Sequence, residues 1–380
     1  MADAYILEAL RTPIGKRRGS FSHIRPDDLA GLCLNGLTHR AEVAPGEIED
    51  VVMGCVTQVG EQGINIARNA VLSAGWPVGV PGTTINRLCG SSLQALNFAA
   101  QAVQAGAMEL TVGAGVENMT RIEMGSDAGP FSDKINDRFD IVAQGVSAEL
   151  IAERYEFSRA DLDALALQSH QRATHAIDQG YFEREILPVV VPDALGEGAL
   201  VSQDEGPRRD TTLEKLSTLR TPFRDGGKVT AAGSSQISDG AAAILVGSAE
   251  KAQTLGIKPR ARFRSTAVVG SDPTMMLLGP APATKLALKK AGLEMSDIGV
   301  FEVNEAFAPV VLAWQRDTGG DMDKTNVNGG AMALGHPLGC SGARLVVTLL
   351  HEMERRDSQF GLATLCIGFG QAVATVIERV

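Results

Sequence analysis

The chain has 380 residues, 44% of them hydrophobic, enough to bury a large core in two or three subdomains. A formal charge of −10 excludes a general nucleic-acid-binding surface. The 42 glycines and the scarcity of aromatics (4%) favour tight strand-to-helix turns over an aromatic-lined groove.

Cys33, Cys55, Cys89, Cys340 and Cys366 are odd in number and widely spread, with no CxxC or zinc spacing. They predict a reduced, cytoplasmic setting and no metal site. The start, MADAYILEALRTP, does not read as a leader, and no apolar run approaches membrane-spanning length.

In chain order, residues 48–54 and 83–85 read as strands, residues 91–105 as a helix, and residues 110–113 as the next strand. Residues 143–155 and 159–180 read as helices, the second opened by a Ser158/Asp161 capping box. The run Asp239-Gly-Ala-Ala-Ala reads as a turn opening a buried helix. Residues 298–303 read as a strand, 342–354 as a helix and 362–367 as a strand. This alternation predicts α/β layers.

The two halves resemble each other. NRLCGSSLQALNFAAQAVQAG leads into ELTVGAG, and GHPLGCSGARLVVTLLHEMER leads into FGLATLCIGFG. Each is a cysteine in a small-residue turn, then a long helix, then a strand with a glycine-rich exit. The pattern predicts a duplicated α/β unit whose matching turns meet on one face. Residues 119–230 are more charged and richer in turns, as expected of an inserted loop domain.

Cys89 lies between a strand and a helix start, where backbone N–H groups and the helix dipole favour a thiolate. His336 lies in a glycine- and proline-rich loop, Cys366 at a strand exit, and Asn304 after another strand. Gly113-Ala-Gly-Val-Glu-Asn lacks the last glycine of a dinucleotide fingerprint and its following helix, which argues against a nicotinamide site.

Three motifs, NRLCGSS, GHPLGCSGAR and CIGFGQ, with NEAFA and TAAGSSQISDGAAA in support, make the chain resemble the thiolase family from ALRTPIGKRRG to the last strand. The resemblance implies a duplicated αβαβα sandwich with mixed sheets. One half would span residues 1–118 and continue at about 231–257, a loop domain would span 119–230, and the other half 258–380. It implies an enzyme that cleaves 3-ketoacyl-CoA with coenzyme A, or runs the reverse condensation, through an acyl group on Cys89.

His336 would activate Cys89, and Cys366, with a pKa near neutrality, would move the proton. Asn304 would position a water that completes an oxyanion hole with His336, and the N–H groups of Cys89 and Gly368 would form a second hole. Ser235 would touch pantetheine, Met276 line the acyl end, and Arg208 face the nucleotide of coenzyme A. Coenzyme A would be a co-substrate, with no permanently bound cofactor, and the chain would form a homodimer or homotetramer.

Departures from the family pattern bear on the substrate. Ala143-Gln-Gly stands where His-Met-Gly often occurs, Leu277 and Leu278 add bulk, and Phe369 is placed to restrict the pocket floor. They favour a degradative thiolase, with a bulky acyl group among the candidates. The alternatives are an acetoacetyl-CoA-specific acetyltransferase and a non-catalytic acyl-CoA or lipid binder.

Overall fold

The computed structural model describes residues 3–191 and 198–380; residues 192–197 of the expected loop domain lie outside the described residues. The main elements of the first half are β1 (Tyr5–Arg11), α1 (Pro26–Ala41), β2 (Asp50–Gly54), α2 (Ile66–Ser73), β3 (Gly82–Ile85), α3 (Ser91–Gln104) and β4 (Leu110–Asn118). Two helices follow, α4 (Gln144–Arg154) and α5 (Arg159–Asp178), and then β5 (Ser238–Gly247). The second half comprises β6 (Ala261–Gly270), α6 (Pro280–Ala291), β7 (Val300–Val303), α7 (Ala308–Thr318), α8 (Leu338–Arg356), β8 (Phe360–Ile367) and β9 (Gln371–Arg379).

The strands run in the order β7-β8-β9-β6-β1-β5-β4-β2-β3. The duplication is visible in their pairing. β2 is parallel to β4 as β7 is to β8, β4 is antiparallel to β5 as β8 is to β9, and β5 is antiparallel to β1 as β9 is to β6. The halves join where Tyr5 and Ile6 pair with Arg262 and Ala261.

The core divides into layers. Leu29, Leu34 and Leu37 of α1 pack with Ala70 and Val71 of α2 against one face of the first half-sheet. Ala283, Ala287, Val310 and Trp314 cover the second half-sheet in the same way. Between the two, Leu93, Leu96 and Ala100 of α3 pack with Val346, Leu349 and Leu350 of α8. This is the mixed-sheet αβαβα sandwich, and α8 is buried from Leu338 to Met353 because both of its sides face protein.

The run beginning Asp239-Gly-Ala-Ala-Ala is a strand and not the expected helix. Ala242, Ile244 and Val246 of β5 face the central layer, whereas Ala241, Ala243 and Leu245 face α1 and α2. Ala243 pairs with Leu10 on one side and Ala114 on the other. Pairing on both edges and burial of both faces override the helical preference of alanine.

The central layer is tight. A Cβ on Gly342 would stand 2.3 Å from the Leu93 nitrogen, and one on Gly115 2.2 Å from the Gly339 oxygen. Ser92 Oγ accepts the Ala343 N–H at 2.9 Å, which ties the N-terminal turns of α3 and α8 together. Both helices therefore start near one place, with Leu338 packed in one small cluster with Cys89, Val56 and Met119.

Between the halves, α5 opens with the expected reciprocal Ser158/Asp161 cap. Beyond it, Arg11 is fully buried and pairs with Glu185 at 2.7 Å and Asp204 at 2.7 Å. Arg11 of the ALRTP motif thus anchors the intervening region to β1 at Glu185 and Asp204.

Candidate active site

The turn before α3 sets Cys89. Leu88 has φ of 45°, a left-handed conformation rare for a residue with a side chain. Ser91 Oγ accepts the Arg87 N–H at 2.9 Å and donates to the Leu88 carbonyl at 2.6 Å, which fixes that turn from inside. The Cys89 sulfur is thereby held in reach of its own backbone N–H, the N–H of Gly368 and the Gln144 carboxamide.

The C-terminal motif meets it from the other side. β8 ends at Ile367, and Arg87 Nη1 donates to Gln371 Oε1 at 2.9 Å, joining NRLC to CIGFGQ. Cys366 is fully buried, close enough to Cys89 that a Cys89 thiolate disfavours its own. Asn304 donates its backbone N–H to Thr364 O of the same strand, 3.0 Å.

His336 is buried with both ring nitrogens engaged. Ser341 Oγ donates its single hydrogen to the Pro337 carbonyl at 2.9 Å, so at 2.5 Å it must accept from His336 Nδ1–H. That assigns the lone pair to Nε2, which accepts from Asn304 Nδ2 at 3.3 Å. Burial, reinforced by the Arg344 charge, lowers the imidazole to about 3, so it is neutral at physiological pH. Asn304 Oδ1 is buried without a protein partner among the described residues.

The thiols correct one expectation. Burial pushes Cys89 up to about 11, despite the N–H of Gly368 and the Gln144 side chain that favour the anion. Burial and then the neighbouring Cys89 raise Cys366 further still. Neither resting thiol is a low-pKa thiolate, because removing a compact anion from water outweighs a few fixed dipoles here. His336 is thus a neutral imidazole and both thiols are protonated at rest.

The expected ligand contacts divide. Met276 is buried, and its Sδ accepts the Phe369 N–H at 3.3 Å, next to Gly368. Ser235 donates its N–H to Ala306 O at 2.9 Å, and the adjacent Gln236 carbonyl accepts the His336 N–H at 3.0 Å. Both are knitted to the thiol and imidazole turns. Arg208 is not: its side chain is exposed, and its backbone N–H donates to Nδ1 of buried His170 at 3.1 Å.

Phe369 is a second correction. It is 46% exposed, with φ of 62°, and it meets Phe131 edge to face at 5.2 Å. The left-handed turn swings its ring outward, so it sits at the surface with the 119–143 segment and not on a pocket floor.

Sequence reasoning missed Glu117, in the glycine-rich stretch set aside as a failed dinucleotide motif. Its buried carboxylate accepts N–H groups from Val56 (2.9 Å), Thr57 (3.1 Å) and Gly339 (2.8 Å), binding the Cys89 cluster to the start of α8. The signal was present as an acidic residue at the end of an otherwise apolar strand. Gln144 was noted only as a departure, and Ser341 only as part of a small-residue turn.

Comparison with known proteins agrees with this geometry. Residues 4–250 match the family model described as thiolase, N-terminal domain, and residues 257–379 the thiolase, C-terminal domain. The chain is 50% identical to a 3-ketoacyl-CoA thiolase of Escherichia fergusonii and 45% to one of Bacillus subtilis, each match covering 100% of both chains. A crystal structure of the Bacillus anthracis acetyl-CoA acetyltransferase superposes with a TM-score of 0.93 at 38% identity, over 100% of this chain and 99% of that one. With both halves matched and the duplicated sandwich observed, the chain belongs to the thiolase family.

Proposed function

We propose that this chain is a degradative 3-ketoacyl-CoA thiolase that transfers an acyl group through Cys89. The observation that carries the reading is the convergence of the Cys89 sulfur, the Gly368 N–H and Cys366 at the foot of two facing helices. In cleavage, His336 Nε2 takes the Cys89 proton as the sulfur attacks the 3-keto carbon. The Cys89 and Gly368 N–H groups hold the oxygen that becomes negative. The C2–C3 bond breaks, its electron pair goes to C2, and Cys366 supplies the proton that completes acetyl-CoA. Coenzyme A then gives its thiol proton to the Cys366 thiolate and attacks the Cys89 thioester through its sulfur; the shortened acyl-CoA leaves, and the Cys89 thiolate recovers its proton from His336. Asn304, with its unpartnered Oδ1, orients a water toward the thioester oxygen.

Coenzyme A and acyl-CoA would enter over the 119–230 region. Ser235 would meet the pantetheine, Met276 the acyl end, and Arg208 the nucleotide. Apolar Phe131 and Phe139 stay partly exposed in the 119–143 segment, which favours an acyl chain longer than acetoacetyl. The division into a half at 1–118 resuming at about 231–257, a loop domain and a half at 258–380 gains support from β5, which pairs with β1 and β4.

The five free cysteines favour the reducing cytoplasm, and no helix among the described residues is long and apolar enough to cross a membrane. A homodimer is favoured by the free edge of β3 and by the fully exposed Ile64, whose neighbour Asn65 donates to Gly82 O at 2.7 Å. Coenzyme A-dependent cleavage of acetoacetyl-CoA and of a longer 3-ketoacyl-CoA tests the activity. The wild type should prefer the longer substrate and Cys89→Ala should cleave neither. Turnover of acetoacetyl-CoA alone would transfer the reading to an acetyltransferase, and light scattering at the monomer mass would remove the dimer.

A further inference from the structure

Gln144 stands where this chain departs from the family pattern, and its carboxamide lies beside Gly368 and favours the Cys89 anion. It is the first residue of α4, and that helix start is held rigidly. A Cβ on Gly145 would stand 2.1 Å from the Phe223 ring, so the ring lies flush against the first turn. Phe223 in turn meets Phe307 edge to face at 5.7 Å, just beyond Asn304. One turn on, Glu149 accepts the N–H groups of Lys228 and Val229, each at 2.8 Å. The arm that carries Gln144 is thus a pinned helix and not a loose loop.

Its carboxamide reaches over the turn after β8. Gln144 Nε2 lies 3.0 Å from the point where a Cβ on Gly368 would stand, and Leu88 Cδ1 lies 3.3 Å from the same point. Leu88 and Gly368 flank Cys89, and the carboxamide lies over Gly368 on the side from which it favours the Cys89 anion.

We propose that Gln144 is a further catalytic residue, whose carboxamide donates a hydrogen bond to the Cys89 sulfur and stabilises the thiolate as it forms and as it leaves. The inference rests on Cys89 being the nucleophile. The thiol is buried, so its anion depends on donors supplied by protein. A donor to a developing negative charge strengthens as the charge grows, and one fixed on a helix needs no reorganisation at that moment. When sulfur carries an acyl group it becomes a poor acceptor and the bond weakens. When coenzyme A attacks the thioester, Cys89 departs with its electron pair and the bond is restored. Gln144 therefore assists both halves of the reaction at the same atom, whereas an apolar side chain there assists neither.

The test is the pH profile of Cys89 alkylation by iodoacetamide in wild type, Gln144→Met and Gln144→Glu, read by mass spectrometry beside kcat and KM for 3-ketoacyl-CoA cleavage. Gln144→Met should slow alkylation at pH 8 about tenfold, move the profile to higher pH, and lower kcat with KM unchanged. Gln144→Glu, nearly isosteric, should slow it more, because a carboxylate repels the thiolate. Circular dichroism and the unfolding midpoint confirm that the variants compared are folded. Profiles that superimpose on wild type would overturn the proposal. So would a change in KM alone, which assigns the carboxamide to the substrate. Absence of any Cys89 adduct in folded wild type would instead remove the nucleophile on which the proposal rests.

Discussion

The turn at Cys89 and the turn at Cys340 are copies of one motif, and only the first is equipped for chemistry. Each cysteine stands among small residues at the start of a central helix, and each is buried. Cys89 precedes α3 and follows a left-handed residue, and the N–H groups of Gly368 and Cys89 and the Gln144 carboxamide favour its anion. Cys340 is the third residue of α8 and is packed in the central layer with Leu93 and Leu345. Burial pushes it up to about 12, relieved only by the more distant charges of Arg344 and Arg11. The second copy instead keeps the base: Ser341, beside Cys340, orients His336. A duplicated scaffold has thus placed the proposed nucleophile in one copy and its proposed base in the other.

The largest expected effect separates the two cysteines. Cys89→Ala should reduce thiolytic turnover roughly 10³-fold or more, whereas Cys340→Ala should leave kcat within a factor of a few and cost about 1 kcal/mol of stability. Steady-state kinetics with denaturant midpoints would check both, and equal loss of turnover in the two variants would break the comparison.

Glycines of the two motifs should divide along the same line. Gly342→Ala drives a methyl into the α3 backbone at Leu93, where neither helix can yield, and should destabilise the fold by about 2–3 kcal/mol. Gly368→Ala meets only the flexible ends of Gln144 and Leu88, at 3.0 and 3.3 Å. Its cost should appear as roughly tenfold lower kcat, with stability changed by less than about 1 kcal/mol.

A pH series sharpens the contrast between the thiols. With Cys89 at about 11, its thiolate fraction, and hence its alkylation rate, should climb about tenfold per pH unit from 7 to 10. Cys340 should stay unmodified in the folded protein. A plateau near pH 7 would mean a preformed thiolate and an ion pair with His336.

A further effect concerns the histidines. Burial lowers His336 to about 3 and His170 to about 4, both below the ordinary 6.5. The unfolded chain therefore takes up protons first as pH falls. The stability these neutral imidazoles contribute is complete above about 6.5 and lost progressively toward 4 and then 3. Urea midpoints at pH 7 and pH 4.5 should differ accordingly, and His170→Asn should remove part of the difference. A larger KM for coenzyme A at the lower pH would follow if protonated His170 releases the Arg208 backbone.

Much of this was legible in the chain because it depends on local chemistry. The Ser158/Asp161 cap, the helix after Cys89 and the strands at residues 48–54 and 362–367 each rest on neighbours a few positions away, and each lies within about two residues of its expected bounds. Pairing of the cysteine-bearing turns was legible as well, since the duplicated motif required two equivalent helices to share a layer. The run at Asp239 was not. Alanines buried on both faces carry no period, and only the pairing of Ala243 with Leu10 and Ala114 across the sheet selects a strand.

By itself, the sequence determined the family, the duplicated units and which residue types stand at each strand exit, because turn chemistry and hydrophobic pattern are local. Tertiary structure alone decided the electrostatics and the directions of the side chains. It buried Cys89 and so raised its thiol. It brought Gln144 from 55 residues away to the sulfur. It turned Phe369 outward against Phe131, and it made Glu117 the knot between the two halves. Desolvation and approach across the chain depend on what surrounds a group, and those surroundings exist only once the two halves have closed on α3 and α8.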